Sequence, residues 1–277
     1  MDINKSGYYK WLNRQKNFNL SPQKKLRAKR MSLFKEYGNK YRTHGYKWLN
    51  AKIKLDKEDF KCSDETARQI CKFLGIKSIS KHEKQKYRKP RKDAKNYQNL
   101  ILNQIAPEEP FNVVVSDMTV IRYKGDYHEV TFYMDLFNNE IVTYAASNKK
   151  GDPATYHAGL NELIIKKQEY KEFTTILHTD GGPVYASHSY NKKLYENGFI
   201  HSMSAPGRPT ENGAMESING WVKEELLRDF MIDELDTFEK SLEKYIYYFN
   251  YERPAAALNY LTPMQYKQKY YIDNNIK

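Results

Sequence analysis

Apolar residues change their spacing partway along this chain, and the change divides it. Residues 21–38 open on Ser21-Pro22 and close on Gly38. Ser suits an N-cap, Pro a first helical position and Gly a C-terminus, so the pattern predicts a helix with a basic surface. Residues 45–54 read as a short helix with Trp48, Leu49 and Ile53 inward. Behind Ser63-Asp64-Glu65, the positions Ala67, Ile70, Cys71 and Leu74 recur at i, i+3, i+4 and i+7, which is one helix face, and Gly75 ends it. Arg68 and Lys72 lie off that face, so the pair of helices has a helix-turn-helix pattern. From Phe111 the period changes. Residues 112–119, 127–135 and 140–147 read as three strands in a meander, with Asp117 placed at the end of the first. A helix over 153–168, a strand over 173–177, a helix over 189–197, a strand over 199–202 and a helix over 212–228 follow. This order predicts a layered α/β core on one mixed sheet. Asp236 with Glu239 forms a capping-box variant before a last helix, striped by Phe238, Leu242, Tyr245, Ile246 and Phe249, that stops before Pro254.

Charge sharpens the division. Of 277 residues, 46 are Lys or Arg and 34 are Asp or Glu, a net +12. Residues 1–110 hold 28 basic against 11 acidic side chains, whereas 111–277 hold 18 against 23. A basic half joined to an acidic half predicts polyanion contact in the first and a separate task in the second. Residues 81–95 carry eight Lys/Arg without an apolar period and read as a linker. Its Lys86, Arg88, Lys89, Arg91 and Lys92 could track phosphates. No run approaches the ~20 apolar residues of a membrane-spanning helix, and the N-terminus has no apolar signal core. Two cysteines, Cys62 and Cys71, exclude a disulfide scaffold and any Cys-x-x-Cys site.

Three carboxylates are placed where chemistry could use them. Asp117 follows a β-branched run, Asp180 follows a strand and precedes Gly181-Gly182, and Glu216 lies early in a helix. Side chains at strand ends and on an adjacent helix can converge, and Mg²⁺ or Mn²⁺ takes oxygen ligands of this kind. Lys223 follows Glu216 by seven residues, so both share one helix face about 10 Å apart. His178 precedes Asp180 by two and alternation sets it on the same side. Asp126 and Asp135 read as turn and strand-end carboxylates.

The motifs around these residues resemble those of the DDE transposases of bacterial insertion sequences, within the retroviral-integrase superfamily, and more narrowly the second-frame product of the insertion sequence three family. Asp180 and Glu216 enclose 35 residues, the family spacing. Ser116-Asp117-Met118-Thr119 is similar to a TDIT motif, and His178-Thr179-Asp180-Gly181-Gly182 to HSDxG. Glu211-Asn212-Gly213-Ala214-Met215-Glu216-Ser217 with Lys223 and Glu225 is similar to DNAxxESFFxxLKxE. Phe249-Asn250, Arg253, Leu258, Thr262-Pro263 and Tyr266 follow the family's C-terminal pattern, and Ser6-Gly7-Tyr8-Tyr9-Lys10-Trp11 its start. Three positions depart from it: Ala255 replaces a His, Gly181 a Gln and Glu211 an Asp, and none is one of the carboxylates.

The resemblance implies a ribonuclease H-like integrase core, a mixed five-stranded sheet flanked by helices, over 107–232. It also implies an N-terminal all-α helix-turn-helix-like region over 1–80, a basic linker over 81–106 and a C-terminal helical extension over 233–277. It implies Asp117, Asp180 and Glu216 as catalytic and metal-binding residues for two Mg²⁺ or Mn²⁺ ions, with His178 and Asn212 as accessory positions. Lys223, Arg68, Lys72 and the linker cations would contact DNA. Water would cleave a phosphodiester at the element end, and the freed 3′-hydroxyl would then attack another; the two ends join first and a circular intermediate inserts later. The implied partners are double-stranded DNA (inverted-repeat ends and target), further copies of the chain in a synaptic complex, and an upstream-frame protein or fusion, with no membrane; the place is the bacterial cytoplasm, at the nucleoid. Two other readings share the residues: a sequence-specific DNA-binding protein or repressor with an inactive core, and a plain nuclease.

Overall fold

The N-terminal elements are helices in the computed structural model, whose described residues are 4–16, 22–80, 99–101, 107–170, 174–204, 213–230 and 237–276. They are α1 (Lys5–Lys16), α2 (Pro22–Lys40), α3 (Tyr46–Asp56) and α4 (Asp64–Leu74), and they lie in a unit, Met1–Ser80, distinct from Lys81–Lys277. The apolar stripes behave as their spacing predicts: Trp48, Leu49 and Ile53 of α3 and Ala67, Ile70 and Cys71 of α4 are buried, together with Phe34 of α2. Ser63 caps α4 by accepting from Thr66 N, and Gly75 ends it at φ 68°. Gly38 does not end α2, which runs to Lys40. Its reason is steric, since a Cβ there would meet the Ile76 side chain at 2.8 Å. No apolar period announces α1, whose Tyr8, Tyr9 and Trp11 are exposed.

The second unit holds β1 (Val113–Tyr123), β2 (Asp126–Asp135), β3 (Glu140–Ser147), α5 (Ala154–Lys167), β4 (Thr175–Thr179), α6 (His188–Glu196), β5 (Phe199–Met203), α7 (Gly213–Arg228), α8 (Phe238–Tyr251) and α9 (Pro263–Asp273). The strand order is β3-β2-β1-β4-β5. β1–β2 and β2–β3 are antiparallel, as the short turns between them require, whereas β4 and β5 add in parallel after helical crossovers. The mixed five-stranded sheet flanked by helices is therefore the expected core. β1 runs four residues past Thr119 because β2 pairs with it as far as Tyr123 opposite Asp126. Asp117 thus stands mid-strand, a correction to its placement at a strand end. β4 likewise continues through His178 and Thr179.

A buried cluster that includes Tyr133, Leu160, Leu163, Leu177, Tyr190 and Leu194 fills the space between sheet and helices. α5 comes close to β2 because residue 159 is Gly, where a Cβ would sit 2.4 Å from Tyr133 Cε2. Asp135, a strand-end carboxylate as expected, is fully buried and accepts from Phe111 N (2.8 Å) and Phe137 N (3.0 Å).

α8 and α9 are built into this unit. Thr237 caps α8 by accepting from Lys240 N, in place of Asp236, which lies outside the described residues. Asn250 donates Nδ2 to Ile141 O and accepts from Ile141 N, both at 2.9 Å, which ties α8 to β3. Lys267 of α9 pairs with Glu140 at 2.9 Å. Thr262 and Gln265 form a capping box that starts α9. Arg253, just past α8, grips Glu225 of α7 through Nε (2.8 Å) and Nη2 (2.6 Å), and Tyr245 donates to the same carboxylate at 3.1 Å. Both charged side chains are buried, so their mutual neutralisation matters more than at a surface pair.

Arg253→Met should therefore leave Glu225 buried without its cation and cost about 3–5 kcal/mol in denaturant unfolding. The double variant Glu225→Leu with Arg253→Met should recover most of that loss. Equal instability of the single and double variants would assign the loss to packing instead of charge.

Candidate active site

The parallel register of β1 and β4 runs up to the residues just before two of the predicted carboxylates. Ser116 stands opposite Thr179 in the last pair of the ladder; Asp117 is the next residue along β1, and Asp180 the first residue past the end of β4. Adjacent strands lie about 4.8 Å apart, and residues in parallel register share a face. Asp117 is half-buried and held at both oxygens. Oδ1 accepts from Met118 N and Oδ2 from Asn219 Nδ2, each at 2.8 Å. Asp180 is exposed beyond the end of β4, and its Oδ1 accepts from Gly182 N at 3.0 Å. Desolvation by the surrounding protein raises its carboxyl above the usual range, against the lowering effect of the Gly182 N–H.

α7 supplies the third wall. Glu216 lies in its first turn, although the described side chains of this helix begin at Ser217. By helical register Glu216, Asn219 and Lys223 share a face. Lys223 is half-buried; desolvation lowers its pKa, and the neighbouring Asp117 carboxylate acts the other way. Among the described residues no three His, Cys, Asp or Glu side chains gather as a metal cluster.

Two supports lie beneath the pair. Ser116 Oγ and Tyr185 OH hydrogen-bond at 2.8 Å, and Tyr156 of α5 packs edge-on against Tyr185 at 4.9 Å. Burial, followed by the charges of Asp180, Glu129 and Asp117, pushes the Tyr156 hydroxyl up to about 12, so it stays protonated near both carboxylates. On the other side, His201 of β5 bridges Asn191 Oδ1 (2.6 Å) and Thr179 Oγ1 (2.9 Å), one residue before Asp180. Sequence reasoning reached neither His201 nor Asn219. The i+3 spacing of Asn219 from Glu216 was the available signal for the latter.

The remaining predicted residues are scattered. His178 is fully buried in β4, with Nδ1 at 2.9 Å from Ser202 Oγ on β5. Arg68 and Lys72 are exposed on α4, and Arg68 pairs with Glu65 at 2.7 Å. Lys86, Arg88, Lys89, Arg91, Lys92 and Asn212 lie outside the described residues.

Burial, then the nearby His178, pushes the His201 pKa from 6.5 down to about 4. The folded state therefore keeps the imidazole neutral where the unfolded state binds a proton. This contribution to stability is intact above about 6.5 and is lost as pH falls towards 4, on the order of 3 kcal/mol in all. In unfolding experiments at pH 7 and pH 4.5, His201→Gln should lose less stability between the two than the parent chain. An equal loss in both would show that His201 does not hold its neutral form.

The integrase core domain family matches residues 107–209, and a second integrase core domain family matches 197–263, so together they run from just before β1 through α8. A transposase-like protein of Haemophilus influenzae is 28% identical over 212 residues, which is 76% of this chain and 95% of that protein. The transposase for insertion sequence element IS904 of Lactococcus lactis is 29% identical over 171 residues, 61% of this chain and 66% of its own. Among solved structures, the catalytic core domain of HTLV-2 integrase in complex with magnesium aligns at 16% identity with TM-score 0.46, covering 58% of this chain and 98% of its own. The chain belongs to the DDE transposases of the retroviral-integrase superfamily.

Proposed function

We propose that this transposase cleaves a phosphodiester at each end of its DNA element and joins the freed 3′-hydroxyl to a second phosphodiester, in a site formed by Asp117, Asp180 and Glu216. The observation that supports this reading is the β1–β4 register, whose last pair, Ser116 and Thr179, immediately precedes Asp117 and Asp180, together with the hydrogen bond that ties Asp117 to Asn219 of α7, the helix of Glu216. Carboxylate oxygens at one end of a sheet suit a hard divalent cation, Mg²⁺ or Mn²⁺. The donor set fits such an ion, because it consists of carboxylate oxygens with Asp117 oriented by neutral N–H donors. When bound, one or two such cations supply Lewis-acid activation of the attacking oxygen and neutralise charge on the phosphoryl group.

The chain's own residues have separate parts. Asp117 and Asp180 act ionised, one anchored at both oxygens and the other at the open end of β4. Glu216 completes the carboxylate set from α7. Lys223 offers a point charge to a phosphate next to the reacting one. The attacking oxygen comes first from water and then from DNA, so no Ser or Tyr nucleophile is required, and positioning carries much of the rate. Double-stranded DNA is the substrate, and joining two ends calls for more than one copy of the chain. Arg68 and Lys72, exposed on α4, serve as phosphate contacts of the basic N-terminal unit.

Glu216→Gln keeps the shape and removes one charge. It should abolish cleavage and joining in Mg²⁺ buffer while leaving end binding intact or slightly stronger. Lys223→Ala should weaken binding near the terminal base pairs and slow joining partially. Joining by Glu216→Gln at a substantial rate would remove Glu216 from the site. End binding by wild-type protein with neither cleavage nor joining would favour the repressor reading, and cleavage without joined products a nuclease.

Lys72→Ala should lower the slope of log affinity against log salt by about 0.9, the value of one phosphate contact. Filter binding on duplex DNA between 50 and 200 mM salt measures it, and an unchanged slope would take Lys72 out of the interface.

A further inference from the structure

Residues 111–277 are acidic as a whole, yet part of their surface is not. Of their 18 Lys and Arg, four lie in two turns: Arg122 and Lys124 at the β1–β2 hairpin, Lys149 and Lys150 in the loop from β3 to α5. All four are exposed. The acids of the same turns are largely engaged. Glu129 is buried and accepts from Gly151 N (2.8 Å), Asp152 N (3.2 Å) and Tyr127 OH (2.5 Å). Asp152 accepts from Ser147 Oγ (2.7 Å) and Ala154 N (2.9 Å), which leaves Asp126 as the exposed acid of these turns. The same bonds fix the shape of the rim. Glu129 pins the loop directly after its two lysines, and Lys124 and Gly125 have positive φ (50° and 94°), as a tight two-residue hairpin turn requires. Cations on pinned turns lose less freedom on binding than cations on a loose segment.

Strand direction sets both turns at the end of the sheet where Asp180 leaves β4. β1 and β4 are parallel, and β3, antiparallel to β2 as β1 is, runs the same way. Glu129 pairs with Val120 on one side and Ser147 on the other. Val120 stands three residues past Asp117, and Ser147 lies two strands across. At ~3.3 Å per residue and ~4.8 Å per strand, the lysine loop therefore begins about 14 Å from Asp117. Arg122, five residues past Asp117, stands about 17 Å from it.

We infer that Arg122, Lys149 and Lys150 form a phosphate-binding rim on the second unit, and that its occupant is the target duplex, held about four to five base pairs from the phosphodiester under attack at ~3.4 Å per base pair. The inference rests on the reading of Asp117, Asp180 and Glu216 as the site of joining given above. The chemistry of the rim favours target DNA over the element end. Ammonium and guanidinium groups on phosphates fix the place and direction of a duplex but carry no sequence information, which suits DNA that is accepted without an inverted repeat. Lys124 takes a lesser part, because its Nζ lies over the Tyr123 ring at 5.0 Å.

The test is joining of a pre-cut element end to a plain target duplex by the full chain in Mg²⁺ buffer, with cleavage of an uncut end measured beside it. Lys149→Ala combined with Lys150→Ala should raise the target concentration for half-maximal joining on the order of tenfold and lower its log–log salt slope by about 1.8, the value of two phosphate contacts. The loss should fall on joining and not on cleavage. Lys149→Arg with Lys150→Arg, which keeps both charges, should join like the parent. Neutral methylphosphonates placed singly along the target should slow the parent at about four to five base pairs from the joining point and have no such effect on the Ala variant. Joining by the Ala variant at the parent's target concentration would overturn the inference. So would an equal fall in cleavage, because the lysines would then serve the element end or the fold. A parent chain that neither cleaves nor joins would overturn the reading of the site and this inference with it, whereas a parent that does both beside an Ala variant that matches it removes the rim alone.

Discussion

The four-residue parallel ladder between β1 and β4 is the constraint on which the site depends. Val113 to Ser116 pair in order with Ile176 to Thr179, and the chain departs from the sheet on the next residue of β4. The residues immediately before Asp117 and Asp180 are thereby paired by backbone hydrogen bonds that neither carboxylate can influence. A slip of one residue in the register would turn one of them to the opposite face of the sheet. The buried apolar run on both strands opposes that slip, since Val113, Val114, Val115 and Leu177 would all have to move with it. Hydrophobic burial thus supplies the free energy that fixes the register leading into both carboxylates.

The core was largely legible in the sequence because its strands and helices have clean periods and because its turns carry Gly, Pro and Asn. The 140–147 strand has the bounds read from the sequence, and the helices at 64–74 and 188–196 start behind their serine caps. What misled was punctuation that serves another purpose. Gly38 looks like a helix end, yet it lies within a helix as a point of close approach to Ile76. Asp117 looked like a strand terminus because the apolar run stops there; hairpin pairing continues the strand past it. The three carboxylates could be picked out from spacing and motif, but their supports could not. His201 and Asn219 act through partners 22 and 102 residues away, and only the folded sheet brings these into reach.

The C-terminal helices change the meaning of α7. Its apolar face packs into the unit, while Glu225 near its end is held by Arg253 and Tyr245. The guanidinium also lies over the rings of Trp221 and Phe249, at 5.0 and 5.1 Å, so one side chain joins two helices by charge and by ring contact. Anchoring one end of a helix this firmly constrains the direction in which its other end points. The tyrosines beneath the site work in the same sense: Tyr133 OH bonds the Tyr190 hydroxyl and the Tyr156 backbone carbonyl, which fixes the Tyr133 ring against α5 and α6.

The pairing of Asn250 with Ile141 has a consequence for how the protein behaves among its own copies. β3 is an outer strand of the sheet, and an outer strand offers unpaired N–H and C=O groups to any other extended chain. At Ile141 those groups are already taken by one side-chain amide, which imitates a neighbouring strand for a single residue. An assembly that must gather several copies on DNA gains from this, because contacts between copies are then left to specific surfaces and sheets are kept from growing edge to edge into aggregates.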